Sequence, residues 1–415
     1  MLLAGSLAWA AVSLTGGMQD ASPFFLRPQL LPCLASGVAA LAGVTLPPGD
    51  KATFLHLHLL EAVGFVLGFV LVPRSGTRPI HDYEPTPNWM VTGLFRASVV
   101  AALLFVAWQG VPILAGNVEG ARVEAAASGT GYLRLTAYMA VPAALVLISL
   151  RAQRAWVFAV GAGLIVLALA NRSPLIYLLI PLALASGMTA LSPRGRRRLV
   201  FGFLAAATLS VGLGTFRIAS QEEFRSYAEY RTPLAEHDYL EVARISVIHY
   251  VEVVAENAVL TYSLAENQQI ETKFGSTYFS VLLSALPGEQ LTLDREIRLA
   301  SNSSFIGGGV PPTLAGEGFV NLGWAGVLLV PLVLSWALTV FYRQAARARE
   351  RAPDSVEARL LTLRYCYLLT LACVAQVAGL AGASTFPLTA FVVLCVLIGS
   401  QRRVVKASAR VGVPQ

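Results

Sequence analysis

Apolar residues in this chain gather in long uncharged runs, and three of them, Ala97 to Ala115, Leu199 to Phe216 and Leu322 to Phe341, approach or reach the roughly 20 residues that cross a bilayer as a helix. A helix satisfies its own backbone hydrogen bonds in lipid, so helices are the expected spans. The pattern predicts eleven, at about 2–16, 29–46, 52–72, 97–116, 132–150, 155–170, 174–191, 199–217, 322–342, 360–379 and 384–400. The expectation is an all-α polytopic membrane protein with a bundle over 1–217, a large helical extracytoplasmic loop over 218–318, and closing helices with a cytoplasmic tail over 319–415. The apolar start at Met1 to Gly17 has no basic residue before it, unlike a secretory signal, and reads as a short first span.

Composition agrees: 55% of the 415 residues are hydrophobic and 13% are charged, against about 25% charged in a soluble domain. The net charge of +7 sits in short loops between spans, the ordinary orientation signal of a membrane protein, which argues against nucleic acid as a partner. The loops holding Arg74 and Arg78, Arg151 and Arg154, Arg194 with Arg196 to Arg198, Arg343 to Arg351, and the tail with Arg402, Arg403 and Lys406 alternate with poorer loops and belong on the cytoplasmic side. That leaves three outer segments: Asn117 to Gly131, the tight turn Asn171 to Ser173, and Ile218 to Gly318. The last is too long for a plain connection. Within it, Tyr239 to Ala265 predicts a helix with Glu241, Ile245, His249, Glu252 and Glu256 on one face, and Ser301 to Pro312 predicts irregular loop.

Nucleotide and metal signatures are missing from the sequence: there is no Walker lysine loop, HExxH or GxSxG elbow. His56 and His58 lie two apart on a helix and point to different faces, which argues against a shared metal. Cys33, Cys366, Cys373 and Cys395 all fall in predicted spans, in no paired-ligand spacing, and read as packing residues. Arginine is the unusual supply. Arg122, Arg172, Arg217, Arg225, Arg231, Arg244, Arg295 and Arg298 fall on the outer side, where the permanently charged guanidinium fork suits the oxygens of a diphosphate lipid. The plain alternative is pairing with Glu222, Glu223, Glu229 and Glu241 on a solvated surface. Arg172 stands apart, in a turn of a few residues between apolar helices, where an isolated charge costs up to roughly 3 kcal/mol at membrane centre and less near the surface.

The segments Gly110-Val-Pro-Ile-Leu-Ala-Gly116, Ala121-Arg122-Val123 and Gly131-Tyr132-Leu133 resemble the first outer loop of bacterial oligosaccharide repeat-unit polymerases, the Wzy-like O-antigen polymerase family. Asn171-Arg172-Ser173, Gly275-Ser-Thr-Tyr278 with Leu286-Pro287, and Pro311 to Gly326 resemble its later loops, so the resemblance covers about 105–330. It departs where Pro287 is followed by Gly288 and Glu289 instead of arginine. The resemblance implies a cofactor-free, metal-independent glycosyl transfer on the outer face of a bacterial cytoplasmic membrane, joining undecaprenyl-diphosphate-linked repeat units. Arg122, Arg172, Arg244 and Arg217 are the expected diphosphate ligands, and Glu317 and His249 the candidates to take the acceptor proton. Glu317 has a structural alternative as a negative charge at a helix start. A chain-length regulator and a flippase are the expected protein partners. A lipid-linked glycan ligase, another polyprenyl-phosphate-dependent glycosyltransferase, and a glycolipid transporter remain alternatives; the transporter would need charges inside its spans, of which Glu61 is one.

Overall fold

The computed structural model describes residues 28, 46–72, 83, 86–115, 130–171, 173–189, 197, 201, 204–205, 208–209, 212, 254–283, 292–301, 310–380 and 386–401. Among them the chain is helical: α1 Pro48–Val70, α2 Trp89–Gln109, α3 Gly131–Tyr138, α4 Ala140–Ser149, α5 Ala155–Ala168, α6 Ser173–Thr189, α7 over 254–266, α8 Ser276–Leu283, α9 Leu293–Ala300, α10 Leu314–Arg351, α11 Val356–Ala378 and α12 Phe386–Ser400. Five helices are long and apolar enough to cross a membrane: Gly49–Val70, Trp89–Leu114, Gly131–Ser149, Leu314–Arg351 and Val356–Ala378. Ala155–Ala168, Ser173–Ser186 and Phe386–Ser400 are apolar but shorter. The expected span at 2–16, that at 29–46 apart from Leu46, and most of that at 199–217 lie outside the described residues, so the count of eleven stays an expectation.

Local chemistry sets several helix ends. Asn88 starts α2 by accepting from the Val91 amide at 3.2 Å, and Ser355 starts α11 by accepting from Ala358 at 3.1 Å. Gly110 and Gly379 end the same two helices at φ +76 and +75, a backbone open to glycine and strained for other residues.

Two helices form the middle of the bundle. Along α4 every residue from Ala140 to Leu147 is buried, and α2, α5, α6, α11 and α12 pack around it. Along α11 nearly every position from Ala358 to Ala372 is buried, with α4, α6, α10 and α12 as neighbours. Aromatic rings tie α6, α11 and α12 together: Tyr177 of α6 lies 5.4 Å from Tyr367 of α11 and 6.0 Å from Phe386 of α12.

The outward faces are apolar too, as a lipid-facing surface requires. Val100, Leu103 and Leu104 of α2, Val157, Val160 and Leu164 of α5, and Val392 and Val396 of α12 are exposed. Trp89 and Trp108 stand exposed toward the two ends of α2, about 28 Å apart at 1.5 Å per residue, close to the thickness of a hydrocarbon core.

Polar contacts sort the helix ends. Arg343 donates to the Val72 carbonyl at 3.2 Å, Arg359 donates to the Ser149 carbonyl at 2.7 Å, Arg151 faces Asp354 at 3.6 Å, and Asn88 donates to the Ser400 carbonyl at 2.9 Å. Ends belonging to four of the five arginine-rich loops therefore meet at one end of the bundle, as the alternation predicts.

Helix α10 is broken. Leu322 (φ −140°, ψ 20°) and Gly323 (φ 60°, ψ −148°) interrupt it. In a straight helix Gly318 and Gly326 would lie about 12 Å apart, yet a Cβ on Gly318 would stand 2.8 Å from the Gly326 carbonyl oxygen. The arm 314–321 is thus folded back against the start of the span, which resumes at 324, near its expected start at 322. Phe319, Trp324 and Tyr262 cover the bend, with ring centroids 4.6 to 5.6 Å apart. The backbone at Gly323 belongs to glycine, so Gly323→Ala is expected to lower stability by about 1–3 kcal/mol, read as thermal unfolding of the purified protein.

Candidate functional site

Of the expected site residues, Glu317 is the one among the described residues, and it lies in the first turn of α10. The carboxylate is fully buried. Its Oε1 accepts from the Thr277 hydroxyl of α8 at 3.2 Å, and its Oε2 accepts from the Leu380 amide just past α11. Gly379 makes the second contact feasible: a Cβ there would stand 2.7 Å from Oε2 and 2.9 Å from Pro312. Thr313 caps the arm by accepting from the Gly316 amide at 3.2 Å.

Asn321, one turn further along the arm, binds it to the preceding loop. Its Nδ2 donates to Thr277 Oγ1 at 2.7 Å and to the Glu317 carbonyl at 2.8 Å, while its Oδ1 accepts from the Gly275 amide at 2.9 Å. Lys273 adds a backbone bond to the Val320 carbonyl at 3.1 Å. The stretch 273–278 is in this way laced onto the folded-back arm. Tyr278 is half-buried beside it with its hydroxyl enclosed, and burial first, then the Glu317 charge, push its phenol well above the ordinary tyrosine value.

Behind this, Leu264, Ile270, Leu293, Ile297 and Val320 form a small core joining α7, α9 and α10, closed outside by Lys273 and Glu296 at 2.7 Å. Asp294 is buried at its margin, and desolvation holds its carboxyl above the ordinary value, against the hydrogen bonds of Thr292 and the Arg295 amide and the charge of Arg298. A carboxyl raised on folding contributes its stability below the unfolded value and loses it as pH rises through the folded one. Asp294→Asn should therefore melt higher than the parent at neutral pH, and the two melting curves should converge as pH falls to about 4.

Arg122, Arg172, Arg217, Arg244 and His249 lie outside the described residues. The neighbours of Arg172 do bracket a tight turn, with the Ser173 amide donating to Asn171 Oδ1 at 3.2 Å. Helix α5 starts beside Arg151 and runs about 21 Å before that turn, away from the arginine-rich end. The predicted helix at 239–265 is seen from 254 to 266, and 310–313 is irregular as expected.

The sequence reading missed two features. Gly64 and Gly68 of α1 press against α10: a Cβ on Gly64 would meet Pro331 at 3.2 Å and one on Gly68 would meet the Trp336 amide at 3.0 Å. Their small-xxx-small spacing was the available signal. The second is a buried contact at 2.7 Å between His58 Nδ1 and Glu61 Oε2, where the spacing i to i+3 was the signal. Among the described residues no three His, Cys, Asp or Glu side chains gather as metal ligands. No family model matches the chain, and neither a curated protein nor a solved structure is significantly similar to it.

Proposed function

We propose that this chain is a membrane-embedded glycosyltransferase that polymerises undecaprenyl-diphosphate-linked repeat units on the outer face of a bacterial cytoplasmic membrane. One observation carries the reading: residues of the long predicted outer loop are clamped, through Thr277, Glu317, Asn321 and Leu380, onto the ends of the apolar helices. That end is opposite the arginine-rich loops, on the side toward which the Arg172 turn also runs. An enzyme acting on a lipid-linked substrate needs such a fixed surface at the membrane border.

In this reading the acceptor hydroxyl oxygen attacks the anomeric carbon of the donor glycan. The carbon–oxygen bond to the lipid diphosphate breaks, and the leaving diphosphate takes the bonding electrons. Arg122, Arg172, Arg217 and Arg244 stabilise its growing charge. The acceptor proton goes to a nearby base, for which His249 is the better candidate. Glu317, enclosed and holding two donors of the protein itself, serves to position the loop.

The test is purified protein with lipid-linked repeat units in detergent and no added nucleotide sugar. A ladder of longer glycans is expected, and Arg172→Ala should abolish it, with Arg172→Lys restoring little because the guanidinium fork is lost. Unchanged substrate with the parent protein removes the polymerase reading; normal chain length in Arg172→Ala removes that residue from the chemistry. The buried His58–Glu61 pair favours a second reading, a glycolipid transporter, which requires movement of lipid between leaflets with no change in glycan length.

A further inference from the structure

Helix α1 places His58 and Glu61 each about 14 Å from an end of Gly49–Val70, at the middle of a membrane-crossing helix. Both side chains are almost wholly buried, at 1% and 0% exposure. His58 Nδ1 and Glu61 Oε2 touch at 2.7 Å but are poorly aligned for a hydrogen bond, and His58 Nε2 and Glu61 Oε1 have no hydrogen-bond partner. The surroundings are apolar. Phe54 sets its ring edge-on to the imidazole at 4.3 Å between centroids, and Phe54 itself packs on Ala255, Ala258 and Val259 of α7. One turn further along, Gly64 lies against the backbone of α10 at Leu328.

We propose that His58 and Glu61 form a proton-binding site at the centre of the membrane-spanning bundle. The pair holds one proton beyond a neutral imidazole beside a carboxylate, taken from solution. The reason is charge. A neutral imidazole beside an ionised carboxylate leaves one uncompensated negative charge in a low-dielectric interior, and buried groups in that position neutralise instead. With one proton added, the pair is net neutral, whether as imidazolium with carboxylate or as imidazole with carboxylic acid. Among the described residues no other charge does this service. The stretch 319–328 of α10 has no ionisable side chain, and Glu317 stands at that helix's outer end. On α7, Glu256 is exposed and Tyr262 packs with Phe319 and Trp324. On α1 itself, Asp50 and Lys51 are at the helix start and His56 is exposed. The proposal is independent of the polymerase reading: it needs only that α1 crosses the membrane.

Full-length protein in lipid nanodiscs would be examined by infrared difference spectroscopy of carboxylic acid and by nitrogen-15 NMR of histidine. At neutral pH one signal is expected: a protonated carboxyl lost in Glu61→Gln, or an imidazolium lost in His58→Gln. His56→Gln changes an exposed neighbour and should leave it in place. Should Glu61→Gln fail to fold, Glu61→Asp is expected to move the signal without removing it. Absence of both signals at neutral pH, or a signal indifferent to every substitution at 58 and 61, overturns the proposal. Polymerisation is not part of the readout, so an inactive preparation leaves the test intact.

Discussion

Gly68→Val should prevent α1 from seating on α10, with a stability loss of about 3 kcal/mol or more, at the upper end of what overpacking costs. A Cβ at Gly68 meets the Ser335 hydroxyl first, which can turn aside, and then the Leu332 carbonyl and the Trp336 amide, backbone that cannot rotate out of the way. Lipid tails are as apolar as leucine, so helices in a membrane are held by close packing more than by burial, and an interface lost here has no hydrophobic substitute. Gly163→Val is the control, since a Cβ there meets nothing. Thermal unfolding in detergent should separate the two by many degrees; equal melting would mean that the α1–α10 contact does not govern stability.

Glu317→Ala should be the second severe variant. It leaves the Leu380 amide without its acceptor in a part-buried place, at roughly 1–3 kcal/mol, and takes from the Thr277 hydroxyl one of its partners. Glu317→Gln keeps one oxygen for a donor but turns an amide nitrogen toward the other, so it should fall between the parent and alanine. A positioning role predicts that activity follows stability, parent above glutamine above alanine. Glutamine that melts like the parent yet makes no glycan would instead assign the acid–base chemistry to Glu317.

Much of the bundle could be read from the chain, because a run such as 132–150 or 360–379 has few alternatives to a buried helix. Boundaries were harder. Helix α2 begins at Trp89, eight residues before the expected 97; Arg96 precedes the uncharged run but lies exposed on the helix, and the Asn88 cap marks the start. The arm 314–321 was hidden by its glycines, of which Gly318 is there for backbone contact with Gly326 and Gly316 for close contact with Thr261, not for a loop. Glu317 stood out by its glycine-flanked place, but its partners are 40 and 63 residues away, and no local spacing reveals them. His58 and Glu61 were a different case: the i to i+3 interval was legible, but His58 was weighed only against His56 as a metal ligand.

The two exposed indoles of α2 act as a ruler. With about 28 Å between them, they fit a bilayer slightly thinner than average, and in longer acyl chains the lipid around α2 must compress or the indoles must leave the interface. Each ångström of mismatch costs only a fraction of a kcal/mol. Summed around the bundle, that is enough to make the choice of lipid for reconstitution a variable of its own.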